Sequence, residues 1–188
     1  MTAPLVEKTI AILAANGFDE NNITEMQRAL TKIKAPYKII APEQGLVNGW
    51  QDNAWGHYFP VDAPIGSALG SDYDALVLVG GERGVAKLKT NPHARRIVNH
   101  FLEARKPIAA IGAGVALLAL SSKCEGLSVT AAAAFHDELK AAKADVVADV
   151  QHQDGPVLTS DGSDVAAWVE AALNLFNEAA PLEDQQAA

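Results

Sequence analysis

Gly112 stands where the sequence builds a place for a nucleophile. In Pro107-Ile108-Ala109-Ala110-Ile111-Gly112-Ala113-Gly114-Val115-Ala116-Leu117-Leu118, a short apolar run turns through small residues into a helix-like apolar run. Strand, sharp turn and helix in that order make a nucleophile elbow, which raises one side chain above the edge of a parallel sheet and faces it with free backbone N–H groups. Gly112 has no side chain to raise. A side chain at an elbow carries backbone strain of about 1–3 kcal/mol, whereas glycine takes the same angles freely. The residues therefore favour a scaffold for covalent chemistry that has lost the group performing it. The single cysteine, Cys124, follows the elbow helix and precedes a strand, which puts it at the opposite, amino end of the sheet as a part-buried, inert thiol.

Three further segments carry chemistry-bearing residues. After the first strand comes Asn16 to Asn22, containing Glu20 and Asn22; a thiolate needs a neighbour to set its pKa, and Asn22 cannot ionise. Gly80-Gly81-Glu82-Arg83-Gly84 offers backbone N–H groups and an Arg to a small anion, or else is a tight turn with a solvated Glu82–Arg83 pair. Trp50, Trp55, Tyr58 and Phe59 crowd into ten residues around His57. Aromatics in such a loop serve an interface, packing or the lining of a ligand site, and His57 is a candidate general base without an identified partner. Gly112-Ala113-Gly114 resembles the start of a dinucleotide fingerprint, but Leu117 stands where a third small residue belongs, and no acidic residue ends the next strand near Ala131. His136 reads as a surface residue at a helix start, and His93, His100 and His152 lack ligand spacing. No metal and no cofactor are expected.

The elements that would position these residues alternate between strand and helix. Buried strands are expected over Thr9–Ala15, Tyr37–Ala41, Asp74–Gly81, Pro107–Ile111, Leu127–Ala131, Val146–Val150 and Val157–Ser160. Helices are expected after Asp19-Glu20-Asn21-Asn22 with Ile23, Met26, Leu30 and Ile33 inward, after Asn91-Pro92 with Ile97, Val98, Phe101 and Leu102 inward, over the elbow run to about Lys123, and over His136–Lys143. A last helix from about Ser163 buries Val165, Val169, Ala172, Leu173 and Phe176. Pro42 to Ser71 reads as irregular. This order implies an α/β, doubly wound, mostly parallel sheet with helices on both faces, whose ligands sit at the carboxyl ends of the strands. One domain is expected over residues 1–180, with a C-terminal tail at 181–188.

Bulk composition narrows the function classes. The chain has 188 residues, 49% of them hydrophobic and 20% charged, as in globular domains. A net charge of −8 disfavours nucleic acid and anionic membranes as partners. One cysteine forms no internal disulfide, and Met1 to Lys8 lacks the apolar core of a signal peptide, so a cytoplasmic location is expected.

The segments Ala14-Ala15-Asn16-Gly17-Phe18-Asp19-Glu20, Asp72-Tyr73-Asp74-Ala75-Leu76-Val77-Leu78-Val79-Gly80-Gly81, Lys106-Pro107-Ile108-Ala109-Ala110-Ile111 and Asp137-Glu138-Leu139 together resemble the ThiJ/PfpI superfamily, from about Lys8 to Phe176. The resemblance implies a flavodoxin-like, class I glutamine amidotransferase-like fold. It also implies peptidase, glyoxalase, deglycase or chaperone activity in members carrying an Ala-Ile-Cys-His-Gly-Pro elbow and a glutamate after the first strand. By register those three positions are Gly112, Ala113 and Asn22, so the resemblance extends to a nucleophile-free member, like the carboxyl-terminal domain of large catalases. Two readings follow. In the first the protein is non-catalytic and binds a small molecule or a protein partner, with Glu20, Asn22, Trp50, Trp55, His57, Gly81, Glu82, Arg83, Gly112, Ala113 and Gly114 as candidate contacts. In the second it is a cysteine-independent hydrolase or lyase on small carbonyl compounds, using His57 or Glu20. A homodimer is expected, as is common among members.

Overall fold

Residues 4–179 are described by a computed structural model of the chain. Twelve strands, β1 (Ile10–Leu13), β2 (Phe18–Asp19), β3 (Tyr37–Ala41), β4 (Leu46–Gln51), β5 (Ala54–Pro60), β6 (Ala63–Pro64), β7 (Ala75–Leu78), β8 (Ile108–Ile111), β9 (Ser128–Val129), β10 (Asp145–Val146), β11 (Gln151–Asp154) and β12 (Val157–Ser160), alternate with five α-helices. The helices are α1 (Glu20–Lys32), α2 (Glu82–Lys89), α3 (Pro92–Glu103), α4 (His136–Ala141) and α5 (Val165–Glu178). The main sheet runs β11-β12-β8-β7-β1-β3-β6 and is parallel except for the β11–β12 pair at one edge.

Period-two alternation divides the strand side chains between two cores. Ala11, Leu13, Leu76, Leu78, Ile108 and Ala110 face the layer of α2, α3 and α4. Ile10, Ile12, Ala75, Val77, Ala109 and Ile111 face α1 and α5. Every one of these is buried, which is why each strand reads as a continuous apolar run. Helix starts follow the sequence signals: Asp19 accepts the Asn21 N–H at 3.1 Å and caps α1, and Asn91 accepts the His93 N–H ahead of Pro92.

Several expected elements differ. Pro42 to Ser71 contains a β-hairpin, β4 and β5, and the short strand β6. The hairpin stands off the main sheet and pairs β4 with β2 in a second sheet. Its turn, Asp52-Asn53, has φ of +50° and +59°, the left-handed pair that a two-residue hairpin turn requires and that Asp and Asn tolerate. Because β5 is almost wholly exposed, it lacks the apolar alternation that would announce a strand. The elbow run is a 3-10 helix over Gly112–Leu120 and not an α-helix; Gly114 lets its backbone lie against the Leu78 and Val79 carbonyls, where a Cβ would stand about 2.5 Å away. The expected strand Val146–Val150 covers only Val146, while β11 is the polar run Gln-His-Gln-Asp at the sheet edge. In α5 Trp168 and Leu175 are buried where Val165 and Leu173 are only partly so. Residues 181–188, expected to form a tail, lie outside the described residues. Among the described residues no helix is long and apolar enough to cross a membrane.

Candidate functional site

β1 has β3 on one side and β7 on the other, so the sheet reverses its winding direction between β1 and β7. A crevice opens at such a point, outside the carboxyl ends of the strands. Three segments meet there. Asp19 N–H donates to the Gly80 carbonyl at 2.9 Å. Asn22 Oδ1 accepts the Gly80 N–H, also at 2.9 Å. Asn22 is buried and thus ties the first turn of α1 to the end of β7. Gly81 follows with φ +98° as the residue preceding α2; a Cβ there would stand 2.4 Å from Asp19 N.

Beside this junction Gly112 closes β8 with φ +56°. That is the left-handed region in which a side chain is strained. A Cβ at Gly112 would meet nothing nearer than Gly80 Cα at 3.9 Å. The space above it is a cavity of about 310 Å3 bounded by Asp19, Asn22, Gly81, Glu82, Phe135 and Asp161, among others. Ala113 contributes to the wall. Gly114 does not: a Cβ on it would fall 2.5 Å from the Leu78 carbonyl, so this glycine permits close backbone packing. Burial holds the Asp19 carboxyl above the ordinary aspartate range, opposed by the backbone N–H groups of Asn22 and Asn21.

Glu20 and His57 come together away from this cavity. The Glu20 carboxylate is buried; Oε2 accepts the His57 N–H at 2.8 Å and Oε1 lies 2.5 Å from His57 Nδ1. Gly49 and Gly56 of the hairpin leave the space it occupies. The His57 side chain is 86% exposed, so a carboxylate orients one ring nitrogen and the other faces solvent. Trp50 packs edge to face with Trp55, their centroids 5.2 Å apart, and the Arg83 guanidinium lies 4.1 Å from the Trp50 centroid. Arg83 therefore engages the hairpin and makes no ion pair with Glu82. None of Glu20, Trp50, Trp55, His57 and Arg83 lines the cavity above Gly112.

Cys124 is fully buried, and burial pushes its thiol up to about 11. Its neighbours Lys123 and Glu125 line a depression with Pro156 at the amino end of β12, remote from the elbow. His136 begins α4 and is part-buried, with Nε2 2.7 Å from the Ala131 carbonyl. Among the described residues no group of His, Cys, Asp and Glu is arranged to hold a metal ion. Asp19 and Asp161 are wall residues without a functional signature in the sequence. Asp19 is visible in the sequence only as a helix cap, and Asp161, which accepts the Ser163 N–H at 2.8 Å, only as a turn residue.

The chain is similar to several known proteins. General stress protein 18 of Bacillus subtilis is 28% identical over 174 residues, 91% of this chain and 99% of that protein. Catalase-2 of the same organism is 30% identical over 153 residues, which are 78% of this chain and only 21% of the catalase. The crystal structure of a ThiJ/PfpI domain protein from Brachyspira murdochii superposes with a TM-score of 0.83 at 19% identity, covering 95% of this chain and all of that one, and so shares the fold. The sequence matches the DJ-1/PfpI family over residues 8–175, and the chain belongs to that family.

Proposed function

We propose that the chain is a nucleophile-free member of its family that binds a small molecule at the elbow cavity without transforming it. The observation that carries this reading is Gly112 itself. It holds the left-handed angle of an elbow, with open space above it and no side chain to enter that space. The other two positions that the resemblance marks are Ala113, which cannot ionise, and Asn22, whose Oδ1 is engaged by the Gly80 N–H. The location consistent with this reading is the cytoplasm.

The Glu20–His57 contact favours a second reading, in which a carboxylate-oriented imidazole acts as a general base on small carbonyl compounds without cysteine. Turnover of methylglyoxal by the purified protein separates the two. The first reading expects none above the uncatalysed rate. Turnover that disappears in His57→Ala and Glu20→Gln establishes the second and overturns the first.

A further inference from the structure

On the far side of Asp19 from the elbow, a second cleft of about 460 Å3 opens between the first turn of α1 and the hairpin turn. Its walls are Asp19, Asn21, Trp50, Gln51, Asp52 and Asn53. Both cavities fall in the range of about 300–1,000 Å3 usual for small-molecule sites. Asp19 is the one wall residue that the two cavities have in common.

The lining chemistry is selective. Two carboxylates accept hydrogen bonds only, three primary amides both donate and accept through a planar fork, and one indole supplies apolar surface. Among the described residues no Lys, Arg or His side chain lines the wall itself, and the nearby Arg83 guanidinium is taken up on the Trp50 ring. Anions are disfavoured by Asp19, Asp52 and the net charge of −8. Purely apolar ligands would strip water from five polar side chains without replacing it. A neutral ligand that presents hydroxyl donors and acceptors on adjacent atoms, together with a C–H face, satisfies all six. The indole is held in advance, with Arg83 4.1 Å from its centroid and Trp55 at an interplanar angle of 89°. The ordering cost of binding then falls on the exposed Asn21, Gln51 and Asn53 side chains and not on Trp50.

We infer that this cleft is a binding site for a neutral saccharide, with Asn21, Gln51 and Asn53 reading its hydroxyls and Trp50 covering a ring face. The site is separate from the elbow, and its existence does not depend on whether the elbow is catalytic.

Titration calorimetry and indole N–H chemical shifts, with glucose, mannose, galactose and maltose as probes, test it. At least one is expected to bind saturably in the millimolar range or tighter and to move the Trp50 resonance. Asn21→Ala and Gln51→Ala each lower that affinity about five-fold, the equivalent of one hydrogen bond, while Gly112→Cys leaves it unchanged. Asn21 and Gln51 are exposed, so both variants fold. The inference is overturned if none of the four sugars saturates, if the two alanine variants bind as the parent does, or if adenosine or spermidine occupies the cleft in place of a sugar. Loss of saccharide binding in Gly112→Cys would move the site to the elbow and equally overturn it. Methylglyoxal turnover does not bear on any of these outcomes.

Discussion

Gly56 and Glu20 share one volume: a Cβ on Gly56 would stand 1.8 Å from Glu20 Oε2. The buried carboxylate fits beneath the hairpin only because β5 omits a side chain there. Gly56→Ala is expected to destabilise the fold by about 1–3 kcal/mol through overpacking. Adding Glu20→Ala should recover part of that loss, since the two substitutions contend for the same space. Urea denaturation of the two single variants and the double variant measures the coupling, and strictly additive losses would refute the shared volume.

At the elbow, Gly112→Cys places a side chain in open space at a left-handed angle. The expected cost is about 1–3 kcal/mol of backbone strain, with no core clash. The new thiol should react with iodoacetamide with a midpoint near the free-thiol value of about 8.5. Asn22 is buried, so desolvation would hold a glutamate there protonated, and Asn22→Glu in the same protein should lower that midpoint by donating to the thiolate. An already depressed midpoint in Gly112→Cys alone would show that the cavity is electrostatically poised for a nucleophile.

Cys124 should be silent. With the thiol fully buried and pushed up to about 11, alkylation at about pH 8 is expected to wait for unfolding. Mass spectrometry after iodoacetamide treatment, with and without urea, gives the answer. Rapid modification of the folded protein would contradict the burial.

His100 predicts a loss of stability in acid. Its ring packs against Gly70, Nε2 has no hydrogen-bond partner among the described residues, and burial, followed by the charge of Lys106, lowers its pKa from 6.5. The unfolded chain therefore takes up a proton that the folded chain refuses. Stability from this group is complete above 6.5 and falls as pH drops from 6.5 toward the lowered folded value. Urea midpoints for the parent and for His100→Gln across this window should diverge, with the variant less sensitive to acid. Parallel curves would remove His100 from the account.

Leu46, Trp55 and Tyr58 remain exposed on the hairpin, at 53%, 54% and 66%. Apolar surface of that size on one projecting element suits a second copy of the chain. A homodimer burying at least about 1,000 Å2 in total is expected. Sedimentation equilibrium at micromolar concentration checks it, and a monomer there would leave the hairpin without this role.

Much of the fold was legible because burial and periodicity coincide. β3 (Tyr37–Ala41) and β12 (Val157–Ser160) have the bounds expected from their apolar runs, and the Asn91-Pro92 signal starts α3 where capping chemistry requires. The positive φ of Gly112 was likewise implicit in a strand turning sharply through small residues. What escaped was written in residues without a hydrophobic signature. The β4–β5 hairpin is an exposed edge ribbon, and β11 is a polar strand whose pairing comes from its neighbour β12 and not from its own side chains.

The sequence by itself determined the parallel core of the sheet, the alternation of its buried strands with helices and the presence of a glycine at the elbow, because these depend on local periodicity, capping and backbone freedom. Only the tertiary structure decided which polar groups meet. It joined Glu20 to His57 across 37 positions and left that pair outside the elbow cavity. It bound Asn22 to Gly80 and set Arg83 against Trp50 in place of its neighbour Glu82. Such contacts hang on how the hairpin and the end of β7 pack against α1 and α2, relations between distant segments that no local spacing encodes.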